Sequence, residues 1–198
     1  MSGDLKNIRE SLRNSLTLES DWESLYLTHF SGIRTAARKL GINLDTARII
    51  NTKRRKMTPD AIMDVSQDKH QWYSIGTAWL DWIQGEMPDW LAPCTYVVEF
   101  GQEPLMVNSK ESVAMFEQKY ILDVERPKDK AIDWKLLYEN NVGAVEFSPY
   151  DRSFENTHLS WYDSIDMASG AIVNKKIIKR IIKLYDGTED FIDAGVKI

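Results

Sequence analysis

The sequence predicts an α+β protein, and two observations carry that expectation. Short aromatic and β-branched runs, such as Tyr96-Val97-Val98-Glu99-Phe100 and Ala144-Val145-Glu146-Phe147, read as strands bounded by turn residues. Amphipathic stretches with apolar residues at helical spacing stand between them, and no internal repeat organises the mixture.

In chain order, Leu5, Ile8, Leu12 and Leu16 predict a helix over roughly 4–17. This divides the chain into an N-terminal helical element, 1–24, and a single domain, 25–198. Leu25-Tyr26-Leu27-Thr28-His29-Phe30 reads as a strand ending at Ser31-Gly32, which would put His29 and Ser31 on one face. Thr35 to Arg48 has the profile of a helix-turn-helix, with Gly41 at the turn and Leu40, Ile42 and Ala47 as its seam. The run Lys53-Arg54-Arg55-Lys56 could then meet phosphates. Two plain helices beneath a basic face are the simpler expectation, because such a seam needs a third helix. Thr58-Pro59-Asp60 opens a short helix, and Trp72 to Ile75 is a strand. Thr77 caps a helix carrying Trp79, Leu80, Trp82 and Ile83.

Leu105-Met106-Val107 is expected to pair with the strand ending at Phe100 across the turn at 101–104. Ser109 and Asp133 cap two further helices, and Asn140-Asn141 with Gly143 stop the second. Between them, 125–130 reads as a charged loop. Isoleucines mixed with lysines over 175–184 predict a basic amphipathic helix, and 191–198 a terminal strand.

The 43% hydrophobic and 28% charged composition is that of a globular chain. A net charge of −5 argues against a wholly basic nucleic-acid-binding surface while leaving room for a local patch. The one cysteine, Cys94, leaves no intramolecular disulfide and suits a reducing compartment. No apolar run approaches a membrane span, so a cytoplasmic location without membrane contact is expected. The three histidines are far apart, and no metal site is expected.

The stretch Trp161 to Asn174 concentrates two aromatics, two carboxylates and a Ser-Gly step. Flat faces beside polar groups suit a pocket edge, and a core strand beside an acidic loop is the equal alternative.

His29-Phe30-Ser31, Trp72-Tyr73-Ser74, Gly143 to Tyr150, and Trp161-Tyr162 with Asp166-x-Ala168-Ser169-Gly170 together resemble an uncharacterised bacterial and phage family related to the ADP-ribosyltransferase fold. That resemblance implies a split sheet with flanking helices around an NAD cleft. A first-strand His would hydrogen-bond the nicotinamide ribose, supported by a Ser. An aromatic would stack on nicotinamide, and an acid would steady the charge that develops as it leaves. The corresponding residues are His29, Ser31 and Ser74, then Tyr73 or Tyr162, then Asp166, with Glu146 competing for the acid's role. The implied activity is NAD-dependent modification of a host protein or nucleic acid, in the host cytoplasm if phage-encoded. The chain departs from the family at Ser164-Ile165, Ala171 and Val173. A non-catalytic factor of the same fold that binds and inhibits a host defence protein is therefore the alternative, and a helix-turn-helix DNA-binding protein a further one.

Overall fold

The computed structural model describes residues 22–67, 69–87, 90–154 and 160–194, so the helix expected over 4–17 lies outside the described residues. The chain runs through α1 (22–40), β1 (Arg48–Thr52), β2 (Gln71–Ile75), α2 (Ala78–Glu86), β3 (Cys94–Phe100) and β4 (Leu105–Met106). It continues through α3 (Lys110–Tyr120), α4 (Lys128–Ala131), α5 (Trp134–Glu139) and β5 (Ala144–Phe147). The last elements are α6 (Ser160–Asp163), β6 (Ser169–Ile172), β7 (Ile178–Asp186) and α7 (Thr188–Asp193). Among the described residues no helix is long and apolar enough to cross a membrane.

All seven strands form one mixed sheet in the order β4-β5-β6-β2-β1-β3-β7. Where a split sheet was expected, β6 inserts between β5 and β2 and makes the sheet continuous. Among the described residues only the β4–β5 pair is parallel. The register separates the side chains cleanly. Ile49, Val97, Ala171, Val145 and Phe147 share one face, because antiparallel partners point the same way and neighbours along a strand alternate.

That face carries the helices. Ile49, Val97 and Leu184 pack with Leu25 and Ile33 of α1, Leu80 and Ile83 of α2, and Phe191 of α7. At the β5 end, Val145 and Phe147 pack with Val113 and Phe116 of α3, Leu137 of α5, and Trp161 and Tyr162 of α6. The opposite face is covered differently. Ile50, Tyr73, Tyr96, Val98, Ala144 and Ile172 are buried there beneath Met57, Ile62 and Ile177, which lie outside the α-helices. This cover is incomplete: Ile75, Phe100, Ile178 and Ile181 on that side stay partly exposed.

Several expectations need correction. Leu25 to Phe30 is helical, not a strand. Leu25, Tyr26, His29, Ile33 and Ala37 are its buried residues, and their near-fourfold spacing is a helix stripe that the local strand propensity obscured. No helix-turn-helix forms. Gly41, at φ +66°, closes α1 with Ile42 N–H donating to Ala37 O and Gly41 N–H to Arg38 O, and Arg48 then begins a strand.

Leu105-Met106 pairs with β5 rather than with β3. The basic stretch forms strand β7 because β3 needs an outer partner, and Val97 and Val98 meet Ile182 and Ile181 there. As an edge strand it exposes Lys179, Arg180 and Lys183, a common protection against edge pairing. Within 125–130, expected as loop, α4 begins at Lys128. Residues 188–193, overlapping the expected terminal strand, are helical, with Phe191 turned into the core.

The caps expected at Ser109 and Asp133 form, whereas Thr77 stands at the start of α2 without a side-chain cap bond, its hydroxyl donating to Asp81 instead. Ser109 and Ser112 form a reciprocal capping box on α3, and the Asp133 carboxylate accepts from Leu136 N–H at 2.9 Å on α5.

Candidate functional site

Polar side chains from three strands meet on the face without helices. Arg48 begins β1, Tyr73 is central in β2, and Glu146 lies in β5. The Arg48 Nε–H donates to Glu146 Oε2 at 2.7 Å, and the Tyr73 hydroxyl donates to the same oxygen at 3.2 Å. Glu146 and Tyr73 are not on adjacent strands. Both pair in register with Gly170 of β6, which lies between them. A Cβ at 170 would collide with the Tyr73 ring and hydroxyl, so glycine is what lets the phenol cross β6 to the carboxylate.

Phe100 completes the constellation. The Arg48 guanidinium sits 4.7 Å over its ring, and the Tyr73 ring meets it edge-on at 5.5 Å. The Arg48 side chain is 23% exposed and that of Glu146 8%, so the pair sits at the boundary between core and solvent.

The electrostatics follow from that placement. Burial alone would pull the Arg48 pKa down, but the hydrogen bond and charge of Glu146 outweigh it and leave the pKa above the ordinary value. Burial pushes the Tyr73 phenol well above its ordinary value, and the Glu146 charge adds to this. At neutral pH the site therefore presents a fixed cation, a protonated phenol donor and a carboxyl group, with Tyr73 and Glu146 buried and Arg48 partly exposed.

The other candidate residues lie elsewhere. His29 is on α1, beneath the helix-bearing face and 1% exposed. Its Nε2 lies 2.9 Å from Thr95 Oγ1, and Asn51 Nδ2 donates to that hydroxyl at 3.0 Å. Asn51 also clamps the Ala92 backbone, donating to its O and accepting from its N–H, both at 2.7 Å. The sheet thus separates His29 from Glu146. Ser31 is exposed on α1, and a two-residue step on a helix turns about 200°, so it does not share a face with His29.

Ser74 follows Tyr73 and therefore points to the helix side. There its Oγ approaches Ile49 O at 3.4 Å beside its cross-strand partner Ser169. Tyr162 is fully buried, stacked at a tilt against Tyr150 at 5.2 Å and donating to Asp151 O at 3.1 Å, so no ligand can lie on its ring. Asp166 is exposed in a turn at φ +64°, where its charge acts on Lys128 and Arg152. Of the seven candidates, the structure brings together Tyr73 and Glu146.

Trp161 to Asn174 accordingly divides into core aromatics, a surface turn and the central strand β6, rather than forming a pocket edge. The residue that sequence reasoning missed is Arg48. The helix-turn-helix profile assigned it to a second helix, although Arg48-Ile49-Ile50-Asn51-Thr52 has a strand's composition.

No protein-family model matches the chain, and neither a curated protein nor a solved structure matches it significantly.

Proposed function

We propose that the chain is an ADP-ribosyltransferase-like protein that uses NAD to modify a host macromolecule, with Arg48, Tyr73 and Glu146 as its working residues. The observation that carries this reading is the convergence of a cation, a phenol and a carboxylate from β1, β2 and β5 on the face without α-helices. The resemblance called for a first-strand His at the nicotinamide ribose with a supporting Ser, an aromatic that stacks on nicotinamide, and an acid. Arg48, Tyr73 and Glu146 meet in one place, as His29, Tyr162 and Asp166 do not. Arg48 would take the ribose contact instead of His29, and Glu146 the acid's role. Tyr73, buried like Tyr162, serves as a hydrogen-bond donor and not as a stacking face.

The residues present suit the group. Arg48 stays protonated and offers donors to phosphate or ribose oxygens. Tyr73, held protonated, donates a hydrogen bond, and the partly exposed Phe100 ring gives a flat apolar surface. NAD supplies an electrophilic ribose carbon bearing a neutral leaving group. Glu146 places negative charge where positive charge develops during that departure, in a setting drier than bulk water.

A second reading is favoured by one feature: Glu146 is already satisfied by Arg48 and Tyr73, as in a structural polar network. It is a non-catalytic factor of the same fold that binds a host defence protein. Thermal shift with NAD, and transfer of adenylate-labelled NAD onto host lysate, separate the two. The transferase reading expects NAD to raise the Tm of the wild type and label to be incorporated, with folded Glu146→Gln reducing transfer about 10²–10³-fold. No stabilisation and no transfer would refute it. A stable complex recovered from lysate without any NAD turnover would favour the second reading.

A further inference from the structure

A second polar concavity lies on the opposite side of the sheet. It is a cavity of about 550 Å³ between the C-terminal half of α1, the turn at 42–45 and the start of α2. Its polar walls are Arg34, Arg38, Asn43, Asp45 and Thr77, beside Phe30.

Arg34 and Arg38 stand one helical turn apart on α1, both exposed, and neither enters a salt bridge among the described residues. Like charges at this spacing disfavour a helix, and an anion held between them reverses that. The Arg34 guanidinium lies over the Phe30 ring at 5.4 Å, which holds its planar fork in place. The acids nearby are Asp45, which lines the cavity, and Asp81, which accepts from the Thr77 hydroxyl at 3.0 Å.

Gly76, at φ +63°, fixes the concavity's shape. A Cβ there would lie 2.8 Å from Asp45 O, and Gly76 N–H donates to Ala47 O at 2.8 Å, so the 42–47 loop is pinned against the end of β2.

We infer that this concavity binds a phosphorylated nucleoside. Arg34 and Arg38 take the phosphates as charge-assisted, fork-shaped donors. Asp45 accepts from ribose hydroxyls, and the Ala37, Ile42 and Leu44 side supplies apolar contact for the base. The volume falls in the range of small-molecule sites and exceeds what inorganic phosphate fills. This inference does not depend on the transferase reading, because none of the residues that line this cavity belongs to the Arg48, Tyr73 and Glu146 cluster.

Isothermal titration with ADP, adenosine and pyrophosphate, each alone, tests it on the full chain. The expected result is saturable ADP binding, tighter than either fragment. It should weaken on the order of tenfold to a hundredfold in Arg34→Ala/Arg38→Ala, and remain at the wild-type value in Glu146→Gln. Arg38→Ala alone should give an intermediate loss, and circular dichroism checks that each variant is folded. Absence of ADP binding, or ADP binding unchanged in the double variant, overturns the inference. Adenosine binding as tightly as ADP would remove the phosphate role. Pyrophosphate binding as tightly as ADP would remove the nucleoside role. Loss of NAD transfer in Glu146→Gln with ADP binding intact separates the failure of one site from the failure of the other.

Discussion

His29 makes the protein acid-sensitive through its burial alone. Enclosed by α1, Thr95, Tyr185 and Phe191, it is 1% exposed, and its imidazole pKa falls from 6.5 to about 4. Burial is the main cause, and the charge of Asp190 partly opposes it. Between those values the unfolded chain binds a proton that the folded chain refuses, so stability falls as pH drops from 6.5 towards 4 and then levels off for this group. The full change corresponds to about 3 kcal/mol, most of which is already lost at pH 4.5.

Urea unfolding at pH 7.5 and at pH 4.5 measures that loss. His29→Gln keeps a polar side chain beside Thr95 and removes the titration. It should lower stability at pH 7.5 while narrowing the difference between the two pH values by about 2 kcal/mol relative to wild type. Carboxylates held below their ordinary range, such as Asp186 and Asp64, contribute alike to both proteins and cancel. An unchanged pH difference in His29→Gln would refute the argument, because it would mean that the folded protein accepts the proton.

Further outcomes follow from the same packing. Gly170→Ala puts a Cβ into the Tyr73 ring and 2.6 Å from Val145 O, so it should cost about 2–3 kcal/mol in urea unfolding and displace Tyr73 from Glu146. Tyr162→Phe loses the hydrogen bond to Asp151 O and should cost about 1 kcal/mol, with NAD transfer unchanged at matched folded concentration. Asp166→Asn should likewise leave transfer unchanged, because that carboxylate stands in an exposed turn and is not part of the Arg48, Tyr73 and Glu146 cluster.

The strands with strong local patterns were legible in the sequence. Val145 and Phe147 alternate with Glu146 between Gly143 and Pro149, and Ser109 and Asp133 are explicit caps. What failed were segments where local preference and tertiary demand conflict. Leu25 to Phe30 has strand-like composition, yet its residues extend a stripe that reaches Ala37 in α1. The Ile/Lys stretch at 178–186 fits a helix as well as a strand, and the choice is made by β3, some eighty residues earlier in the chain.

Tyr73 and Glu146 could be picked as chemically suitable, but their meeting depends on β6 inserting between their strands with a glycine at the crossing. That pairing is nonlocal, and no spacing in the chain announces it. Arg48 was missed for the same reason, since its importance comes from the partner it reaches across 98 residues of sequence.

Glu146, held by Arg48 and Tyr73, is the proposed working acid of an NAD site. The initial rate of nicotinamide release from NAD, compared among wild type, Glu146→Gln and Asp166→Asn at equal folded concentration, tests it most directly. The account predicts wild-type release, near-wild-type release by Asp166→Asn and a fall of about 10²–10³-fold in Glu146→Gln. Release that survives in Glu146→Gln and disappears in Asp166→Asn would contradict it.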